Sequence, residues 1–193
     1  MKRVGITGGI GCGKSTVVAE FKKLGIHAFV ADEVAADYYR DPSFLADIRQ
    51  LFGDDVFLPD GSAVKRRIAA LVFADSNMLN ALNALVHPRV MADFEAFCRN
   101  HADEPYVLFE SAILFDYGFD ALMDRTLCVY LDLQERIRRL RSRDGSTEEQ
   151  IMARVANQMP ALEMMRRADY VILNYEGNPR QRQVALIDKY LRL

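Results

Sequence analysis

The fold of this chain is decided by the stretch Gly8-Gly9-Ile10-Gly11-Cys12-Gly13-Lys14-Ser15, which fits the pattern Gly-x4-Gly-Lys-Ser. Glycines let the backbone wrap an anion with its N–H groups, and a helix that follows them points its positive N-terminus at the same anion. The lysine adds a charge that can reach nucleotide phosphates, and the serine adds a hydroxyl that can ligate Mg²⁺. The stretch therefore predicts a phosphate-binding loop.

The residues on either side of this stretch test the interpretation, because the pattern also occurs by chance in unrelated chains. Val4–Thr7 is a β-prone run, and the segment Ser15–Leu24 has apolar residues at helical spacing before Gly25 ends it. A strand before the loop and a helix after it are what a phosphate-binding loop requires. The alternative is a glycine-rich turn that binds no phosphate.

The amino-acid composition limits the classes of protein to which this chain can belong. The 193 residues are half hydrophobic and 27% charged, as expected for a globular protein with one well-buried core. The net charge of −2 gives no global electrostatic case for binding nucleic acid or a membrane. Three cysteines without metal-ligand spacing suit a reducing compartment, and no signal-peptide pattern or bilayer-length apolar run is present. We expect a cytoplasmic protein without nucleic-acid or membrane partners.

Short, continuous apolar runs separated by helical patterns predict an α/β fold with a parallel sheet covered on both faces. The predicted strands are Val4–Thr7, Ala28–Val30, Tyr106–Phe109, Leu127–Leu131 and Tyr170–Leu173. In such a sheet the carboxyl ends of the strands lie at one edge. We therefore expect Asp32, which follows the second strand, and Glu110, which ends the third, to lie at the edge where the phosphate-binding loop opens.

The gap between the second and third strands, from Glu33 to about Glu104, is longer than one crossover helix requires and predicts a helical subdomain. The pattern within it indicates helices over Leu45–Phe52 and Lys65–Phe73, with a turn at Pro59-Asp60-Gly61. A longer helix is predicted over Asn77–Cys98, interrupted or kinked near His87-Pro88.

Basic residues crowd the segment that begins at Arg136, at positions Arg136, Arg138, Arg139, Arg141 and Arg143. An arginine cluster downstream of a phosphate-binding loop favours a lid that closes over the nucleotide. On a helix the first, third and last of these arginines would share one face. The alternative is a solvated helix surface held by salt bridges.

Two carboxylates are candidates for the chemistry of phosphoryl transfer. Asp32 is the candidate general base that accepts a proton from an attacking hydroxyl, and the alternative is that it caps the helix beginning near Glu33. Glu110 is a candidate for outer-sphere contact with Mg²⁺, and the alternative is a strand-end acid that faces solvent. His87 reads as a hydrogen-bonded core residue. Cys12 lies near a helix N-terminus, which predicts a lowered thiol pKa and alkylation that blocks nucleotide binding.

The order and spacing of many short motifs resemble the dephospho-coenzyme A kinase family over the whole chain. The motifs are Gly5-Ile6-Thr7 with the loop through Thr16, Ala31-Asp32, Phe52-Gly53, Asp60-Gly61, Val72-Phe73, His87-Pro88, Ile113-Leu114-Phe115, Asp124-Arg125, Arg139, Arg143-Asp144, Gln158, Ala168-Asp169 and Val171-Ile172-Leu173-Asn174. The resemblance implies transfer of the γ-phosphoryl group of ATP to the ribose 3′-hydroxyl of dephospho-CoA. The products would be CoA and ADP, and Mg²⁺ would be required.

The resemblance also implies an architecture: a P-loop NTPase fold like that of nucleotide kinases, in a monomer or small homo-oligomer. A single kinase domain would span residues 1–193. Its five-stranded parallel core would cover about 1–32, 76–143 and 168–193, a helical acceptor-binding region about 33–75, and a lid about 144–167.

Individual site residues follow from the same resemblance. Catalysis would rest on Asp32 and Lys14, and Mg²⁺ on Ser15 with Glu110 in the outer sphere. The nucleotide would be bound by Gly9, Ile10, Gly11, Cys12, Gly13, Lys14, Ser15, Thr16, Arg139, Arg143 and Asn174. Dephospho-CoA would contact Asp32, Lys65, His87 and Arg89.

The chain departs from the family pattern at several positions. Val30 replaces the first acid of the usual Asp-Ala-Asp, which leaves Asp32 as the acid that is kept. Lys65 stands where arginine is frequent and loses the bidentate fork. The other departures are Cys12 for a common serine, Glu110, Ala112 and Asp116 for Asp, Pro and Glu, and Met164 for a basic residue.

Three other functions are compatible with the motifs. One is another small-molecule or nucleoside monophosphate kinase, which would share the loop, the acid and the lid. Another is a nucleotide-dependent switch or ATPase, which is disfavoured because the chain has no clear Asn-Lys-x-Asp motif. The third is a degenerate nucleotide-binding protein, although Lys14, Ser15 and Asp32 are all retained.

Overall fold

The computed structural model describes residues 1–193 and contains one five-stranded sheet whose order is β2-β3-β1-β4-β5. All neighbouring strands are parallel, which confirms the predicted fold class. The strands are β1 (Lys2–Thr7), β2 (Ala28–Val30), β3 (Tyr106–Glu110), β4 (Arg125–Tyr130) and β5 (Tyr170–Leu173). Every predicted strand is present, although β4 ends at Tyr130 rather than at Leu131.

The central strand β1 leads directly into the phosphate-binding loop. It pairs with β3 on one side and β4 on the other, so that its apolar residues Val4 and Ile6 are fully buried. In this register Ile6 lies beside Glu110, the last residue of β3. The acid is therefore held at the same edge of the sheet as the start of the loop.

Nine α-helices accompany the sheet. They are α1 (Lys14–Lys23), α2 (Ala31–Asp37), α3 (Pro42–Phe52), α4 (Lys65–Ala74), α5 (Ser76–Asn100), α6 (Leu133–Asp144), α7 (Glu148–Ala156), α8 (Ala161–Arg167) and α9 (Arg180–Leu191). Helix α5 continues through Pro88, so the interruption that sequence analysis allowed there is absent. None of the helices combines the length and apolar character needed to cross a bilayer.

The chain divides into two compact units. The sheet unit comprises residues 1–30 and 100–193, and the helical unit comprises residues 31–99. In the sheet unit, one face of α1 (Val17, Phe21) and one face of α9 (Val184, Ile187) are buried in the same apolar cluster as β1. Burial of apolar side chains on this scale is the main favourable term in folding.

The helical unit has an apolar core of its own. Its fully buried centre is formed by Phe44 and Ile48 of α3 and by Ile68 of α4, joined by Val56 and Phe57. The aromatic ring of Tyr39 packs edge-on against Phe44, with ring centres 5.2 Å apart. The helices predicted over 45–52 and 65–73 therefore exist, and their apolar faces meet each other.

Candidate active site

The phosphate-binding loop joins β1 to α1 in a conformation that requires glycine. The φ angles of Gly11 and Gly13 are +80° and +88°, in the left-handed region that side-chain-bearing residues rarely adopt. Gly13 caps α1 without any side-chain hydrogen bond, and the first turn of the helix contains no acid. The N-terminus of α1 therefore presents a positive dipole end that no acid offsets, which suits a bound phosphate.

Lys14 is the first residue of α1, and its ammonium group lies at the edge of the sheet near Gly8 and Glu110. Its Nζ is 3.0 Å from the carbonyl oxygen of Gly8 and 3.8 Å from Oε1 of Glu110. Both side chains are nearly buried, with exposed fractions of 12% and 9%. Glu110 does not face solvent, so the structure contradicts the solvent-facing alternative for this residue.

The residues present fit a single Mg²⁺ ion held together with nucleotide phosphates. Ser15 and Thr16 are exposed in the first turn of α1, and Ser15 offers a hydroxyl oxygen there. No group of three or more His, Cys, Asp or Glu side chains forms a complete metal site. One hydroxyl and a nearby carboxylate suit Mg²⁺, which takes oxygen ligands and usually completes its shell with water and substrate phosphates.

Asp32 follows Val30, the last residue of β2, by two positions. Helix α2 begins at Ala31, so Asp32 lies inside the first turn and not at the capping position that sequence analysis considered. Its side chain is exposed and makes no hydrogen bond or ion pair. The Asp32 carboxylate therefore takes no part in a polar contact that stabilises the fold.

The three arginines that sequence analysis placed on one face of a lid helix have different environments. Arg136 is buried, with 4% exposure, and its Nε donates to the Ile10 carbonyl at 2.7 Å. Arg139 donates from Nη2 to the carbonyl of Asn174 at 3.0 Å. Arg143 is exposed and pairs with Asp144 at 2.6 Å. Arg139 also approaches the phosphate-binding loop, with Nη1 3.6 Å from a Cβ atom built on Gly13, so Arg136 and Arg139 both face the loop. The role of these arginines in a lid stays a prediction.

Two further side chains hold the backbone of the loop. Asn174, just past β5 and 1% exposed, donates from Nδ2 to the carbonyl of Cys12 at 2.7 Å and accepts from Arg180 at 2.8 Å. Gln158 accepts from the Ile10 N–H at 2.8 Å. Sequence analysis placed Asn174 near the nucleotide and quoted Gln158 only as a family motif, so neither contact was predicted.

The candidate acceptor residues lie in the helical unit and make contacts there. Lys65 donates to the carbonyl of Ala36 at 3.1 Å, with its Nζ 4.6 Å from the centre of the Tyr39 ring. Arg89 pairs with Asp47 and also donates to the carbonyl of Leu85 at 2.8 Å. His87 is partly buried, and burial lowers its pKa. Their role toward dephospho-CoA stays a prediction.

Cys12 is not an activated thiol. It is 1% exposed, and burial raises the pKa of its thiol, against the opposing influence of Lys14 and its backbone N–H. The expectation that the helix N-terminus lowers this pKa is wrong, because desolvation of the thiolate outweighs the favourable charge and dipole.

The chain is similar to known proteins over most of its length. Residues 2–179 match the family model described as dephospho-CoA kinase. The dephospho-CoA kinase of Chlorobium luteolum is 39% identical, and the match covers 94% of this chain and 86% of the relative. The crystal structure of TT1252 from Thermus thermophilus is 33% identical with a TM-score of 0.89, covering 100% of this chain and 97% of that one. Shikimate kinase from Aquifex aeolicus, at 14% identity and a TM-score of 0.53, shares the fold alone. This chain therefore belongs to the dephospho-CoA kinase family.

Proposed function

We infer that this chain is an ATP-dependent dephospho-CoA kinase, which phosphorylates the ribose 3′-hydroxyl of dephospho-CoA in the last step of CoA biosynthesis. The observation that carries the inference is the family match over residues 2–179. The phosphate-binding loop supports it, because the loop opens at the carboxyl edge of a parallel sheet, where ligands bind in open α/β folds.

Each chemical task of phosphoryl transfer has a residue in this proposal. The loop N–H groups and Lys14 bind the phosphates, which requires Lys14 to exchange its contact with the Gly8 carbonyl for phosphate oxygens. Asp32 accepts the proton of the attacking 3′-hydroxyl. Ser15 would hold Mg²⁺, and Glu110 would contribute through the outer sphere of the ion. When bound, the ion would offset charge on the β- and γ-phosphate oxygens.

Two segments outside the core also take part in the proposed reaction. The segment 33–75 in the helical unit binds the acceptor, and the segment 144–167 acts as the lid over ATP. Within that lid, Met164 of α8 is fully buried and packs with Phe115 and Cys128. In α7, Ile151 is likewise fully buried and packs with Ile137 and Leu140 of α6, so any closing movement has to keep or re-form both packing contacts.

The activity is tested by the release of ADP from Mg-ATP with dephospho-CoA, AMP, CMP, adenosine or no acceptor. We expect turnover with dephospho-CoA alone and a product heavier by one phosphoryl group. Turnover with a nucleotide acceptor instead would assign a different kinase activity. Release of ADP without any acceptor would indicate an ATPase.

The residue roles are tested separately by matched variants. Lys14→Ala should lose both ATP affinity and turnover. Asp32→Asn should keep ATP binding and lose at least ~100-fold in kcat, because the general base is removed. Glu33→Gln is the control, since Glu33 is an exposed acid in the same helical turn. An Asp32→Asn enzyme as active as the Glu33→Gln enzyme would refute the general-base role.

A further inference from the structure

A buried arginine lies flat against the phosphate-binding loop. A Cβ atom built on Gly9 would lie 2.6 Å from Cζ, 2.6 Å from Nη2 and 2.7 Å from Nη1 of Arg136. Three nearly equal distances mean that the planar face of the guanidinium, and not its edge, covers Gly9. Any side chain at position 9 would have to displace this group.

The positive charge of Arg136 has no acidic partner in the protein. Its neighbours in electrostatic range are Cys12 and Tyr130, with no carboxylate among them, and burial lowers the pKa of the guanidinium. A buried, unpaired cation is costly to fold. Such a charge is stabilised when an anion binds close by, and the loop beside it is built for phosphates.

Arg136 also determines how the loop backbone is oriented. Its hydrogen bond holds the Ile10 carbonyl, and the loop has no cis peptide bond. In a planar trans peptide the C=O and the following N–H point in opposite directions. The N–H of Gly11 therefore points away from Arg136, and it donates to no acceptor in the protein. Since Gln158 accepts from the Ile10 N–H, residue 10 is held on both sides.

We propose that Arg136 is a positioning residue of the nucleotide site, which directs the Gly11 N–H toward the phosphates and adds a fixed positive charge behind them. The inference rests on the proposed function, because it assumes a nucleotide in this loop. It assigns to Arg136 a role different from that of Arg139 and Arg143, the candidate lid residues. Asn174 has the corresponding backbone effect at the Cys12 carbonyl, and so directs the Gly13 N–H.

The charge of Arg136 should affect the affinities for ATP, ADP and AMP unequally, which loss of structure alone would not do. A positive charge acts on each phosphate, so its removal should weaken ATP most, ADP less and AMP least. We expect Arg136→Gln, which keeps an amide donor but no charge, to lower ATP affinity by about 10- to 100-fold, as a charge interaction at close range implies. Arg136→Lys, which keeps the charge, should hold the ratio of ATP to AMP affinity within about threefold of the unmodified protein.

The experiment is calorimetric titration of the full chain with ATP, ADP and AMP, with folding checked by circular dichroism. Arg141→Gln is the matched control, because Arg141 is an exposed arginine of the same helix and should leave all three affinities unchanged. An equal loss for the three nucleotides in Arg136→Gln, or no loss, overturns the proposal. If Arg136→Gln does not fold, the Arg136→Lys variant decides. A fall of more than about threefold in its ratio of ATP to AMP affinity overturns the proposal. Failure of the unmodified protein to bind ATP would refute the proposed function.

Discussion

Replacement of Gly13 by alanine should destabilise the protein through two separable effects. The first is conformational, because Gly13 has φ of +88°, where a Cβ atom is unfavourable. The second is steric, because the new Cβ would lie 2.3 Å from Nδ2 of Asn174. Asn174 cannot withdraw freely, since it is 1% exposed and hydrogen-bonded to the Cys12 carbonyl at 2.7 Å.

The magnitude follows from these two effects. The left-handed conformation costs roughly 1–2 kcal/mol for a residue with a Cβ atom. Loss of the buried Asn174 hydrogen bond leaves polar groups unsatisfied and costs about 1–3 kcal/mol. We therefore expect Gly13→Ala to lower the free energy of unfolding by about 2–5 kcal/mol.

Gly25 provides a matched control, since its φ is +83° but no atom lies within 4 Å of a built Cβ. Gly25→Ala should show the conformational cost alone. Urea unfolding followed by circular dichroism measures both variants, with an unchanged m-value as the check on the denatured state. In an Asn174→Ala background, Gly13→Ala should cost no more than Gly25→Ala. Equal losses for the two glycine variants in the native background would refute the steric argument.

Three further predictions concern packing, thiol reactivity and pH. Met164→Ala should cost about 2–5 kcal/mol in the free energy of unfolding, because Met164 is fully buried, whereas Met152→Ala, at a position 40% exposed, should cost less than about 0.5 kcal/mol. All three cysteines are buried, so a thiol reagent should modify them slowly in the native protein and fast in urea; rapid native modification would contradict this burial. Burial lowers the pKa of His87 below its ordinary value of 6.5, so the unfolded chain binds more protons and stability should fall as pH drops below about 6.5. Unfolding curves of the unmodified protein and His87→Gln between pH 8 and pH 5 test this, and an equal pH dependence in both would refute it.

Much of the fold could be predicted from local patterns. Strands of a parallel sheet are buried on both faces and therefore appear as continuous apolar runs, as Tyr106–Phe109 does. The helices predicted over 45–52, 65–73 and 77–98 followed from apolar spacing, and the interruption that the proline in α5 allowed is absent. Helix α5 tolerates Pro88 although the proline lacks an N–H donor.

The backbone of the phosphate-binding loop could be predicted because its residues are contiguous in the chain. Gly13, Lys14 and Ser15 form one motif whose backbone geometry follows from their order. Asp32 was selected as a candidate because a strand end precedes it, and its catalytic role stays a prediction. The contact of Arg136 with Ile10 joins residues 126 positions apart, and that of Asn174 with Cys12 joins residues 162 positions apart. No local pattern records such contacts.

The amino-acid sequence by itself determined the parallel sheet, the phosphate-binding loop and the family, because these depend on short-range periodicity and on motif order. Only the tertiary structure decided which arginine is buried behind the loop and that burial raises the pKa of Cys12. The physical reason is that burial and electrostatic environment depend on which distant segments exclude water from a side chain, and several segments must pack together before that is settled.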